Sequence, residues 1–169
     1  MKTETVRLNR VTVQSRGSVR LNDVNLHIYR GEIMGLICVN QYGLDTLISL
    51  LCQNIPIHYG HVYFRETLVN SYQSSSARLN KTAVIDRNSR LVEHLTVSDN
   101  IFVMRPGFKK FIIPEKALDM QLDRLTRDIG VSIRGASRAD GLPPFERCAV
   151  ELLRAVASGT ALVILRDVS

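Results

Sequence analysis

Tryptophan is absent from this 169-residue chain, and aromatic residues of all kinds make up only 6% of it. Proteins that hold single-stranded nucleic acids need stacking aromatics interleaved with basic residues, and no stretch of this chain has that composition. The net charge of +6 therefore indicates a solvated, mildly basic surface. We expect no nucleic-acid binding by this segment.

Cysteine is scarce, with only Cys38, Cys52 and Cys148. Their odd number and wide spacing favour reduced thiols over a disulfide framework, and their apolar neighbours predict that the thiols are buried. The sequence shows no metal-ligand spacing, so no metal site is predicted. Long apolar runs are also missing, since none approaches the roughly 18 residues that cross a bilayer. These features favour a cytoplasmic segment.

The first third of the chain predicts two strands, a third buried strand and a helix. Apolar residues alternate over 5–13 and 19–29, which predicts a pair of half-buried strands around a turn at Arg16-Gly17. The run EIMGLICV at 32–39 is nearly continuous in apolar residues, as in a buried parallel strand. A short loop from Asn40 to Gly43 and a helix over 44–53 should follow, because leucines recur there at helical spacing.

The rest of the chain alternates between strands and helices. Strands are predicted at 60–65, 81–86 and 161–165, and the Ser-rich stretch 71–80 should be a loop. Thr96 and Asp99 have the spacing of a capping box, which predicts a short helix. Amphipathic helices are predicted at 115–129 and about 145–157. The Pro- and Gly-containing stretch 105–114 should be a linker that ends the preceding short helix. This order predicts an α/β domain with an antiparallel β layer near its start.

Three segments, in this order and at these separations, resemble the ATP-binding domain of ABC transporters of the sugar-importer type. They are LNDVNLHIYRGEIMGLICVNQYGLDTLISLL, HLTVSDNIF and AVELLRAVASGTALVIL. The resemblance runs from residue 5 to the end of the chain. It implies a P-loop NTPase-like ABC ATPase core with an antiparallel β layer and a helical subdomain at about 92–145, incomplete at the C-terminus. We expect a single domain over 1–169, the N-terminal part of a longer protein.

The segment of this chain that aligns with the family's phosphate-binding loop departs from the family's sequence pattern. Such a loop needs glycines and a Lys that reaches the terminal phosphates. By the resemblance, the nucleotide-binding positions are Asn40, Gln41, Tyr42, Gly43, Leu44, Asp45 and Thr46. Leu44 stands at the Lys position and Asp45 at that of the magnesium-binding hydroxyl. A misplaced charge pair costs about 4 kcal/mol near a protein surface, more than the roughly 0.3–2 kcal/mol that a helix N-terminus contributes.

Other chemistry-bearing positions depart in the same direction. Arg87 aligns with the family's glutamine, and the signature loop reads LPPFE at 142–146. Arg166 replaces the magnesium-linked Asp, whereas Asp167, at the general-base position, is a weak catalytic candidate. Both arginines could instead bind an anion or pair with Asp45 and Asp167. Ser15 aligns near the adenine-stacking aromatic.

The resemblance therefore implies ATP with magnesium as cofactor, although the ligands for both are replaced. We interpret the chain as a pseudo-ATPase with a regulatory or scaffolding role, inactive alone. Two alternatives remain open: an importer ATP-binding subunit that hydrolyses ATP slowly with a partner, and a module for another anionic ligand. The implied partners are a membrane-embedded permease subunit or a second ABC-type ATPase domain, with a further domain fused downstream. The implied location is cytoplasmic, peripheral at the inner face of the membrane.

Overall fold

A long antiparallel hairpin begins the chain. The computed structural model describes residues 2–15, 17–53, 55–70, 82–103 and 115–167. Strand β1 (Glu4–Ser15) pairs with β2 (Ser18–Tyr29) and, on its other side, with β3 (Tyr59–Phe64), which β4 (Thr67–Leu68) follows. The sheet order is β2-β1-β3-β4 and every pairing in it is antiparallel. The predicted strand pair and antiparallel layer are therefore confirmed.

Helix α1 (Gln41–Gln53) packs against β2. Its leucines Leu47, Leu50 and Leu51 are buried, as are the alternating apolar residues of β1. Gly60 shows how closely β3 approaches β1, because a Cβ atom there would overlap the Arg10 carbonyl oxygen. The helix begins at Gln41, so the predicted loop from Asn40 to Gly43 is wrong for its last three residues.

Residues 32–39 form no strand, and the prediction of a buried strand there is wrong. Ile33, Ile37 and Val39 are almost fully exposed, and Cys38, predicted to be buried, is exposed as well. A buried parallel strand requires hydrogen-bonded neighbours. Within the described residues no strand pairs with this segment, so its apolar composition alone does not bury it.

The second compact unit begins at Ala83, and the first ends at Thr82. It contains α2 (Val97–Phe102), α3 (Glu115–Ile129), a 3-10 helix (Ala139–Gly141) and α4 (Pro144–Ala157). A two-stranded sheet joins β5 (Thr82–Ile85) with β6 (Leu162–Leu165). The predicted helices and both of these strands are confirmed to within a few residues. The predicted loop 71–80 and linker 105–114 lie outside the described residues.

One apolar cluster holds the helices of this unit together. Its buried members come from α2, α3, α4 and the connecting segments: Leu91, Val97, Ile101, Phe102, Leu118, Leu122, Ala139, Val150 and Leu153. The predicted start of α2 at Thr96 is confirmed, since the Thr96 hydroxyl accepts the Asp99 amide proton at 3.1 Å, which is the N-cap half of a capping box. The buried Asn100 side chain holds the preceding loop through both the amide and the carbonyl of Val92.

Candidate functional site

The predicted binding residues 40–46 form the entrance and first turns of α1. Asn40 caps the helix: its Oδ1 accepts the Tyr42 amide proton at 2.9 Å. Its carbonyl oxygen accepts the Leu44 amide proton at 3.2 Å. The Thr46 hydroxyl donates to the Tyr42 carbonyl oxygen at 2.7 Å. These bonds close an ordinary helical start in which a carboxamide, supplied by the chain itself, caps a terminal amide.

This arrangement differs from a phosphate cradle. A cradle leaves several successive amides pointing at one anion, whereas here the Tyr42 and Leu44 amides are bound to Asn40. Leu44 supplies no ammonium group, and Asp45 adds a carboxylate close to where an anion would lie. The negative charge of Asp45 and the existing hydrogen bonds of the Tyr42 and Leu44 amides both disfavour a bound phosphate chain.

Gly43, which lies in the segment that the resemblance aligns with the phosphate-binding loop, has a packing role. A side chain at this position would lie about 3.3 Å from the Arg20 carbonyl oxygen in β2. The missing side chain lets the first turn of α1 approach β2 closely. Its presence therefore does not by itself indicate phosphate binding.

Asp167, the weak catalytic candidate, lies just after β6 with two arginines beside it. The Arg166 guanidinium lies 3.5 Å from its carboxylate, and the Arg87 side chain donates to its carbonyl oxygen at 3.1 Å. The expected pairing with the Asp167 carboxylate is therefore present for Arg166, whereas Arg87 contacts only the backbone of that residue. Its backbone has a φ of 47°, in the left-handed region that Asp tolerates better than most residues. The arrangement offers no second carboxylate for a magnesium ion among these three residues.

The segment aligned with the signature loop leads directly into α4. Pro143 precedes the helix and makes no side-chain cap, and Pro144 occupies the first helical position, where it has no amide proton to donate. Phe145 follows and is 72% exposed. Upstream, a side-chain hydrogen bond from Arg138 lowers the pKa of Asp140. This helix start is poorly equipped to bind an anion because its first turn lacks one amide donor.

Sequence reasoning missed a buried carboxylate in the second unit. Glu151 of α4 is 3% exposed, and it accepts hydrogen bonds from the Ser89 hydroxyl at 2.8 Å and from the Arg90 amide. Arg154, one helical turn further, donates to the Arg90 carbonyl oxygen at 3.1 Å. The two side chains fasten the segment after Arg87 to α4. The helical spacing of α4 could have predicted this burial, since Glu151 lies on the same helical face as buried residues.

The described part of the chain contains no group of three or more His, Cys, Asp and Glu side chains arranged to hold a metal ion. None of its helices is long and apolar enough to cross a membrane.

The structure brings Asn40 to Thr46 together at α1 and places Asp167 in the other unit.

Comparisons with known proteins identify the family. The model of the family described as ABC transporter matches residues 21–167. The chain belongs to the ABC transporter family. Among its relatives, the putative ribose/galactose/methyl galactoside import ATP-binding protein 3 of Burkholderia cenocepacia is 23% identical over 97% of this chain. The ribose import ATP-binding protein RbsA of Caldanaerobacter subterraneus is 29% identical over 68% of this chain.

Coverage in the other direction is lower. The chain spans between a quarter and a third of the length of these ABC relatives, 32% and 26% respectively. Solved structures support the predicted fold class. They include cbiO1 of Clostridium perfringens, with a TM-score of 0.80, 16% identity and coverage of 97% of this chain and 65% of that one. A nucleotide-free ATP-binding cassette from an ABC transporter has a TM-score of 0.72 and 16% identity, covering 96% of this chain and 68% of that one.

The residues of this ABC domain do not fit MgATP in the family's arrangement. The amides of Tyr42 and Leu44 are bound to Asn40, and the helix start has no Lys. Arg166, which the resemblance aligns with the magnesium-linked carboxylate, contacts Asp167. We therefore derive no reaction step through ATP or magnesium.

Proposed function

We propose that this chain is a degenerate ATP-binding domain of the sugar-importer type, a pseudo-ATPase with a regulatory or scaffolding role. The observation that carries the proposal is the capped start of α1, where the Asn40 side chain accepts a hydrogen bond from the Tyr42 amide. In the same turn, Leu44 stands in place of the cationic side chain and Asp45 in place of the hydroxyl. Positioning and charge neutralisation supply nearly all of the catalysis in phosphoryl transfer, so their loss removes turnover.

The organisation of the protein is part of the same proposal. Residues 1–169 act as one ABC-type domain of a longer cytoplasmic protein, with a helical subdomain over about 92–145. The partners are a membrane-embedded permease subunit, which would hold the domain at the inner face of the membrane, or a second ATPase domain. The names of the sugar-import relatives support this assignment.

Steady-state phosphate release from ATP tests the loss of turnover. The purified chain with magnesium should release phosphate at background rate, and the Asp167→Asn variant should give the same trace. Release that scales with protein and disappears in the Asp167→Asn variant would contradict the proposal, because a contaminating ATPase would not respond to that substitution.

The alternative is an importer subunit that hydrolyses ATP slowly with a partner, as the names of the relatives suggest. Turnover per molecule that rises with protein concentration would favour it, because such a dependence requires assembly of two copies. The third possibility, binding of another anion, has less support. Both candidate arginines, Arg87 and Arg166, already contact Asp167.

A further inference from the structure

Three polar side chains of the β1–β2 hairpin form a hydrogen-bonded series at the end of the hairpin opposite its turn. The Tyr29 hydroxyl lies 3.0 Å from His27 Nδ1, and His27 Nε2 lies 2.7 Å from the Glu4 carboxylate. Strand pairing brings them together, because Glu4 lies opposite Tyr29 and His27 shares a sheet face with Tyr29. A hydroxyl, an imidazole and a carboxylate in this order are the parts of a nucleophile, its base and the group that orients the base. We call these three side chains the Tyr29–His27–Glu4 relay.

The direction of each hydrogen bond in the relay follows from Glu4. An ionised carboxylate can only accept, so the proton between these two side chains lies on His27 Nε2. Nδ1 of the same neutral imidazole then has no proton, and it accepts a hydrogen bond from the Tyr29 hydroxyl. The imidazole is therefore in the tautomer that can remove a proton from Tyr29.

Neighbouring side chains hold the carboxylate of the relay in place. Arg7 Nε lies 3.1 Å from the same Glu4 oxygen that His27 contacts, and the Glu4 side chain is only 12% exposed. The Arg7 guanidinium in turn stacks on Tyr63 of β3, 4.1 Å from the ring centre. A carboxylate fixed in this way keeps the imidazole in one orientation.

A cation lies beside the phenol ring of the relay. The Lys2 ammonium is 5.5 Å from the centre of the Tyr29 ring, within the range of a cation–π contact. There it offsets the negative charge that develops on the ring as the hydroxyl loses its proton. Tyr29 is half-buried and the His27 side chain is 38% exposed, so the pair is open to a small reagent.

We propose that Tyr29 is a modification site, at which the phenol oxygen takes an acyl group from a reactive acyl donor. The Tyr29 oxygen attacks the acyl carbon while its proton passes to His27 Nδ1. The bond between the acyl carbon and the leaving group breaks, and the leaving group takes the electron pair and then the proton from His27. Tyr29 is the nucleophile, His27 is the general base and Glu4 is a positioning residue. The inference goes beyond the proposed function and does not depend on it.

Reaction of the full chain with N-acetylimidazole, an acyl donor of this class, tests the site, and peptide mass spectrometry measures the acetylation rate of each tyrosine. At neutral pH Tyr29 should react at least about tenfold faster than Tyr42 or Tyr59, although those two are 66% and 70% exposed. Tyr42 has a cation of its own, since Arg20 lies 5.0 Å from its ring centre, so it controls for the effect of Lys2. Among the described residues, Tyr29 alone has a histidine at its hydroxyl.

Substitutions separate the base from the carboxylate that positions it. His27→Gln keeps hydrogen-bonding groups but removes the base, and it should lower the Tyr29 rate to that of Tyr59. His61→Gln is the matched control and should leave the rate unchanged, since His61 lies on β3 beside the Tyr63 ring. Glu4→Gln should lower the rate by at least about tenfold, because an amide no longer fixes the tautomer.

A solvent isotope effect provides a readout that a merely structural role of the relay would not move. Acetylation of Tyr29 should be slower in deuterium oxide in the wild-type chain, and the effect should disappear in His27→Gln, because that variant has no proton transfer to the imidazole. Tyr59 in the same sample gives the reference rate.

Two results would overturn the proposal: acetylation of Tyr29 no faster than that of Tyr59, or equal Tyr29 rates in wild type and His27→Gln. Circular dichroism checks that each variant is folded. If His27→Gln unfolds, the comparison with Tyr59 and the isotope effect in the wild-type chain still decide the question, because neither needs a substitution. ATP turnover is measured separately, so failure of the pseudo-ATPase proposal leaves this one standing, and the reverse.

Discussion

The first turn of α1 and the apolar cluster around α2 follow the ABC pattern to different degrees. The cluster is a closed set of buried apolar side chains, with Phe102 only 1% exposed. The turn begins the helix that the resemblance implies after residue 39, but its Tyr42 amide is bound to the Asn40 side chain, and Leu44 and Asp45 stand at the aligned Lys and hydroxyl positions. Apolar pattern determines whether the elements assemble, whereas a few polar side chains determine which ligand they can hold. A chain can therefore keep the fold and lose the nucleotide chemistry.

The largest expected effect comes from removing the cluster's central ring. Phe102→Ala should destabilise the second unit by about 3–5 kcal/mol, because it removes buried apolar surface and leaves a cavity. Phe145→Ala is the matched control, since Phe145 is 72% exposed on α4, and it should change stability by less than about 0.5 kcal/mol. Urea unfolding followed by circular dichroism measures both. Equal losses in the two variants would refute the distinction between core and surface.

The buried carboxylate of α4 should have the next largest effect. Glu151→Ala leaves the Ser89 hydroxyl and the Arg90 amide without their acceptor, at a cost of about 2 kcal/mol. Glu151→Gln keeps one carbonyl oxygen and should cost about half as much. Hydrogen exchange should show faster exchange of the Arg90 amide in the Ala variant than in the Gln variant. Unchanged exchange in both would mean that Glu151 does not hold this segment.

Replacing the cap of α1 should have a smaller effect. Asn40→Ala removes the acceptor of the Tyr42 amide and should destabilise the helix by about 1 kcal/mol, whereas Asn40→Asp should preserve the cap. Exchange of the Tyr42 amide should accelerate in the Ala variant alone. If the Ala variant exchanged as slowly as wild type, the cap would not be the feature that occupies this turn.

The smallest effect concerns thiol reactivity. Cys38 is exposed, whereas burial, and next the nearby charge of Glu151, raise the pKa of Cys148. Iodoacetamide near neutral pH should alkylate Cys38 at least about tenfold faster than Cys148, since the thiolate is the reacting species. The difference between the two alkylation rates should decrease in alkaline solution as Cys148 ionises. Peptide mass spectrometry measures the two rates, and faster alkylation of Cys148 would contradict this assignment.

Periodicity predicted most of the fold because it depends on patterns that recur along the chain. The hairpin and the helices at α3 and α4 follow spacings of two and about 3.6 residues, and the α2 cap follows the spacing of Thr96 and Asp99. The strand at 32–39 was predicted wrongly because apolar composition reports a preference for burial. It does not report whether a hydrogen-bonding neighbour is present.

The candidate site was less predictable because it depends on particular atoms. Resemblance located residues 40–46 but gave no sign that Asn40 would cap the helix, although Asn is a favoured capping residue. The contact between Arg20 and Tyr42 joins residues far apart in sequence, and periodicity carries no information about such pairs. The partners of Glu151 were unpredictable for the same reason, since Ser89 and Arg90 lie about 60 positions earlier.

Calorimetric titration of the full chain with MgATP tests the loss of the nucleotide site most directly, with the Leu44→Lys/Asp45→Ser double variant in parallel. The wild-type chain should bind with a Kd weaker than about 0.1 mM, which corresponds to less than about 5.5 kcal/mol of binding free energy. The double variant should gain measurable affinity, because it restores a cation and removes a carboxylate. Micromolar binding of MgATP by the wild-type chain would contradict the pseudo-ATPase assignment and favour a working importer subunit.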